Sequence, residues 1–295
     1  MDNRKISAAQ MLLLTGGMVF FFMLSGQKPS GGEAENFYKQ GQKLWVAGRY
    51  DSSYTLFRKA QSQAKIENNQ QLWAQSMQFA GVYLTRQMQI EAAAATLDSV
   101  IALSGVFDPL APFILFARKE RAYLDMMKGD FSGAETRYRQ LAADCEKLPP
   151  TGDSIRATVY EGLGQANFDL GEYRKALGFV EKALGLYNQS SKKDQMPIAV
   201  CHNTLAIMQM YLSEFEPALE NFLTAVSLLG KKLGPDHPDV LQVKTNIGVL
   251  YSELGLFWKS LEYHREVWGN RPSPAVSTSQ CPSQHGRYPY HSRGL

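Results

Sequence analysis

The sequence predicts an all-α protein, a solenoid of about six helix-turn-helix units preceded by one hydrophobic N-terminal helix. Three observations predict it. One residue pattern recurs six times, at steps of 40, 41, 42, 42 and 42 residues. Hydrophobic residues make up 44% of the chain and charged residues 20%, which supports a large core and argues against wholesale disorder. An uncharged stretch, Ile6 to Gly26, follows Arg4 and Lys5 at the start of the chain.

Taken in order, residues 1–5 form a basic leader and residues 6–26 an anchoring or targeting segment with its apolar heart at Met11 to Leu24. A span of 21 residues is near the ~20 needed to cross hydrocarbon, which favours an uncleaved anchor. The 14-residue heart also suits a cleaved signal peptide, although Leu24-Ser25-Gly26 is a poor cleavage site. A buried helix is the third reading. In the first two, the basic residues stay in the cytoplasm and the repeats face the other side. The protein is then a single-pass membrane protein with extracytoplasmic repeats, periplasmic in a bacterium, or an exported one if the segment is cleaved. Residues 27–33 read as a linker.

The repeats are expected over residues 34–268, with copies starting near 34, 74, 115, 157, 199 and 241. Each copy carries a small residue, at Gly41, Gly81, Ala122, Gly164, Ala206 and Gly248. Seven residues later comes a turn position, occupied by Gly48, Met88, Gly129, Gly171, Ser213 and Gly255. Two further on is an aromatic or apolar residue: Tyr50, Ile90, Phe131, Tyr173, Phe215 and Phe257. A small residue follows at Ser53, Ala93, Ala134, Ala176, Ala218 and Ser260. The physical reading is two antiparallel helices per copy, with the small residue of the first letting the second approach and the turn glycine supplying a permissive backbone. Neither helix buries its apolar stripe alone, so the copies must stack.

This pattern resembles the tetratricopeptide repeat, and LGQANFDLGEYRKALGFVEKAL (163–184) comes near that family's consensus. The 42-residue step and LGPDHPDVLQVKTNIGVLYSELG (233–255) are similar to the long variant of kinesin light chains. The resemblance implies a right-handed superhelix whose concave face, lined by the first helices, binds a peptide or helix without catalysis or cofactors. Carried onto copies four to six, the lining residues are Glu161, Gln165, Phe168, Asp169, Asn203, Tyr211, Thr245 and Glu253, with Asn246 beside them. Asn and Gln can hydrogen-bond an extended peptide, and Phe168 and Tyr211 offer apolar contact. A clamp for a C-terminal carboxylate, used by chaperone-docking members, is not expected. Its places hold Tyr38, Gln42, Phe79, Phe116 and Glu120.

Other classes find little support. The terminal segments carry +2 (1–28) and +3 (269–295), leaving −2 on the body, which argues against nucleic acid as a partner. Three cysteines without a C-x-x-C spacing support neither a zinc site nor a disulfide framework. In Gly234-Pro235-Asp236-His237-Pro238-Asp239, a helix start explains the residues better than a metal site does. No HExxH, G-x-S-x-G or phosphate-loop string occurs, so no metal, cofactor or catalytic residue is expected. The 188–190 sequon reads as chance, and Lys192-Lys193 and Lys231-Lys232 read as linker charge.

Residues 269–295, without Asp, Glu or Lys, read as a disordered tail. The sixth copy has no polar capping helix and carries Trp258 and Trp268, which suggests a covering partner, self-association or a chain truncated near residue 268. The expected function is a membrane-tethered, non-enzymatic scaffold for a protein or peptide. The alternative is the sensory or docking part of a longer signalling enzyme or protease.

Overall fold

The computed structural model describes residues 32–149, 152–190 and 194–269. The basic leader, the segment 6–26, linker residues 27–31, Lys192-Lys193 and residues 270–295 lie outside the described residues. No described helix is long and apolar enough to cross a membrane.

The described chain is all-helical and forms six antiparallel helix pairs. Copy one is α1 (Glu33–Val46) with α2 (Tyr50–Ile66), and copy two is α3 (Gln70–Arg86) with α4 (Ile90–Ile101). Copy three is α5 (Pro112–Lys128) with α6 (Phe131–Cys145), and copy four is α7 (Asp153–Asp169) with α8 (Tyr173–Gln189). Copy five is α9 (Gln195–Tyr211) with α10 (Phe215–Leu233), and copy six is α11 (Pro238–Glu253) with α12 (Phe257–Trp268). Among the described elements α4 departs from the pattern by running into a 3₁₀ turn, Ala102–Gly105.

The repeated residues explain the pairs. Every turn position has a positive φ, at Gly48 (74°), Met88 (59°), Gly129 (83°), Gly171 (80°), Ser213 (60°) and Gly255 (70°). Two copies therefore hold a left-handed backbone with a side chain that disfavours it. Every second helix begins at the aromatic or apolar residue two places on. The first small residue of the copy receives a side chain from the second helix. A Cβ on Gly164 would lie 2.5 Å from Val180 Cγ2, one on Gly81 2.7 Å from Leu97 Cδ2, and one on Gly248 2.9 Å from His264 Cε1. The later small residues are all buried, and Ser53 Oγ donates to the Gly41 carbonyl at 2.7 Å.

Helix ends follow local chemistry. Asn69, Asp130 and Asp194 side chains accept from Leu72, Gly133 and Met196 amides. His237 caps α11 the same way, accepting from the Asp239 amide at 3.2 Å, and Pro238 stands at the first helical place. This is the helix-start reading of the Gly234–Asp239 segment. Lys231 and Lys232 are corrected in position: they lie in the last turn of α10, where cations favour the helix dipole, and not in a linker.

Each helix packs on the next, and first helices of consecutive copies also touch (α1 with α3, α3 with α5, α5 with α7, α9 with α11). Contacts between consecutive second helices are weaker. The first helices are therefore the more closely packed set at four of the five junctions. Apolar layers from neighbouring copies merge along the stack, as where the Phe57 and Phe79 rings of copies one and two stack at 4.3 Å.

Candidate functional site

The expected lining residues form one stripe along the first helices, and the register that packs the pairs sets their neighbours. Three residues before each small residue stand Tyr38, Gln78, Lys119, Glu161, Asn203 and Thr245. Five after it stand Val46, Arg86, Met127, Asp169, Tyr211 and Glu253.

The expected lining residues separate into three groups. Glu161 is drawn inward: it is 8% exposed and its carboxyl accepts from Tyr187 Oη at 3.0 Å and Cys201 Sγ at 3.5 Å. Burial pushes this carboxyl up to about 7, against the two hydrogen bonds and the Lys119 charge, which pull it down. Glu161 thus ties α7 to α8 and α9. It also borders a small pocket of about 20 Å³ with Lys119, Tyr123, Thr158, Gly162 and Gln165, over the Tyr138 ring. That volume suits one water or the tip of a side chain.

The second group is amide. Asn203 is also 8% exposed and accepts from Asn246 Nδ2 at 3.1 Å, joining the first helices of copies five and six. The third group is aromatic. Tyr211 is 60% exposed, with its ring 4.8 Å from Phe168 and 5.1 Å from Tyr173. Asp169, beside Phe168, accepts from Gln165 Nε2 at 3.2 and 3.3 Å, its only hydrogen bond among the described residues, and burial raises its pKa. Thr245 Oγ1 donates to the Leu241 carbonyl, and Glu253 is exposed.

The sequence reading missed Lys119 and Tyr123, because it carried the lining only onto copies four to six, and Thr158 of copy four, because it lies six places before Gly164, outside the lining register. Lys119 was legible, since it shares the register of Glu161. Tyr173 was not, because it belongs to a second helix and reaches the face only through the turn. Among the described residues no group of three His, Cys, Asp or Glu side chains could hold a metal ion. The Cys145 thiol is pushed up to about 12 by burial, and that of Cys201 also lies well above its usual value, which leaves both far from the thiolate a nucleophile needs.

No protein-family model matches the chain. Over 122 residues it is 24% identical to Protein KINESIN LIGHT CHAIN-RELATED 2 of Arabidopsis thaliana, a match spanning 41% of this chain and 18% of that protein. The solved TPR-like repeats assigned to a kinesin light chain of Podosopora anserina superpose with a TM-score of 0.56 at 19% identity, covering 66% of this chain and 92% of that one. The fold is a TPR-like solenoid. The apo form of the quorum sensor NprR of B. thuringiensis shares it, with a TM-score of 0.58 at 14% identity over 80% of this chain and 76% of that one. At such identities the likeness concerns the TPR-like fold alone, and the Arabidopsis protein is more than five times as long as the matched part.

Proposed function

We propose that the chain is a non-enzymatic protein-interaction scaffold that binds a peptide or helix along its first-helix face and is tethered to a membrane by residues 6–26. The observation that carries this reading is Tyr211, a large aromatic side chain 60% exposed on the inner face of a TPR-like solenoid, held by two other rings. An exposed, pre-positioned aromatic loses little conformational freedom on binding and supplies apolar anchoring area. The Asn203–Asn246 pair beside it can exchange its mutual hydrogen bond for bonds to a peptide backbone.

The test is affinity capture from native extract with the full chain as bait, beside a variant carrying Asn203→Ala, Tyr211→Ala and Asn246→Ala. A protein retained by the wild type and lost by the variant supports the reading. Equal retention by both moves the binding surface off this face. Tethering is tested by washing membranes in alkaline carbonate, which leaves an anchored chain in the pellet and releases an untethered one.

The last copy is a second candidate surface, with Leu254, Leu256, Phe257, Trp258 and Leu261 exposed. Self-association through it predicts sedimentation that depends on concentration and is abolished by Trp258→Glu.

A further inference from the structure

A feature of the first two copies gives meaning to the aromatic cluster between copies four and five. The first residue of a second helix lies next to the fifth place after the small residue of the following copy. In the first pair these are Tyr50 and Arg86, and the Arg86 guanidinium carbon stands 3.9 Å from the Tyr50 ring centroid. That is well inside the distance at which a cation is attracted to an aromatic face. Three copies on, the same two places hold Tyr173 and Tyr211, with the rings 5.1 Å apart. There the aromatic surface is doubled and the chain's own cation is missing.

The register flanking Tyr211 is acidic: the same place holds Asp169 in the copy before and Glu253 in the copy after. Arg174, next to Tyr173 in the chain, is already paired with Glu214 at 3.3 Å. Among the described residues Asp169 takes part in no ion pair, and its carboxylate accepts from a neutral amide alone, Gln165 Nε2. Glu253 is exposed and is likewise in no ion pair among the described residues. Half-burying a carboxylate without a cation is costly, consistent with the raised pKa of Asp169.

We propose that Tyr211, between Asp169 and Glu253, is a docking place for an arginine or lysine side chain of a partner protein, stacked on the ring and neutralised by the two carboxylates. The proposal rests on the first-helix face being the binding surface, and names the chemistry that this part of it selects. Arginine fits best, because its flat guanidinium can stack on Tyr211 and bond a carboxylate at once.

The test uses the full chain labelled with 3-fluorotyrosine, with the Tyr211 resonance assigned by its loss in Tyr211→Phe. The probes are N-acetyl-arginine methylamide and its neutral isostere N-acetyl-citrulline methylamide, titrated at low salt. The arginine compound is expected to shift the Tyr211 resonance with a midpoint at least about tenfold below that of citrulline, since a ring and two carboxylates add roughly 1.4 kcal/mol of preference. Asp169→Asn should remove the preference while leaving the melting temperature and the other tyrosine resonances in place. Equal midpoints for the two probes, or a preference that survives Asp169→Asn, would overturn the proposal. So would a Tyr211 shift produced without probe by Arg271→Gln, Arg287→Gln and Arg293→Gln together, which would put the chain's own C-terminal residues there. If the probes do not discriminate while partner capture still requires Asn203 and Asn246, the cation site falls and the binding face stands.

Discussion

Glu161 is the residue on which most depends locally, because its carboxyl sits where three helices meet. Its pKa is raised from 4.5 to about 7 by burial, so between those values the folded chain holds a proton that the unfolded chain has lost. Stability from this group is thus full below about pH 4.5 and is lost as the pH rises through about 7. A shift of that size corresponds to a loss on the order of 3 kcal/mol. Urea unfolding at pH 5 and pH 8 should show it, and Glu161→Gln should flatten the difference. A variant with the wild-type pH dependence would mean that other groups dominate. The two strained turn residues give a prediction of opposite sign. Met88 and Ser213 hold φ of 59° and 60°, and Met88 is 52% exposed, so glycine there relieves strain and removes little packing. Met88→Gly and Ser213→Gly should each raise the urea midpoint by the equivalent of about 0.5–1 kcal/mol, the strain relief exceeding the added unfolded-state entropy. A lowered midpoint in both would show that the turns are not strained.

At the scale of the helix pair, the same chemical change should act in opposite directions at two glycines of copy four. A Cβ on Gly162 would lie 2.3 Å from the Tyr138 ring, and Tyr138 is only 2% exposed, so it has nowhere to move. Gly162→Ala should cost about 1–3 kcal/mol, as overpacking does, and lower the melting temperature by several degrees. Gly178 lies in the middle of α8 with nothing within 4 Å of its Cβ position. Gly178→Ala should therefore stabilise by about 0.5–1 kcal/mol through helix propensity alone. Melting curves of the two variants, recorded together, check the pair. Both shifting the same way would contradict the packing described for α6 against α7.

At the scale of the whole molecule, a stack in which each copy touches only its neighbours has a stability that varies along its length. Among the described side chains of α12 only Ser260 is buried, whereas α7 buries ten side chains or glycines along its length. Amide exchange in α12 should be faster than in α7 and α8 by orders of magnitude, because its local opening exposes little apolar surface. Uniform protection along the stack would point to a partner surface over the last copy.

The repeat was legible in the sequence because close helix packing restricts residue choice in the same way in every copy. A glycine where a second helix approaches, and a left-handed residue seven places later, recur at Gly41 and Gly48 and again at Gly164 and Gly171. Even Met88, a departure from the glycine pattern, stands in the same turn conformation, since the packing around it decides the backbone. The lining residues were legible only as a register. Which of them face outward was decided by contacts between residues 26, 40 and 43 apart: Glu161 with Tyr187 and Cys201, and Asn203 with Asn246. Local periodicity places a side chain on a helix face, but only the neighbouring copies decide whether that face is covered. The sequence by itself determined the helix pairs and their stacking, because these follow from repeated local sterics. Tertiary structure alone decided that Glu161 is buried, that Tyr173 meets Tyr211 and that Tyr211 is left exposed, because burial and side-chain pairing are properties of several helices at once.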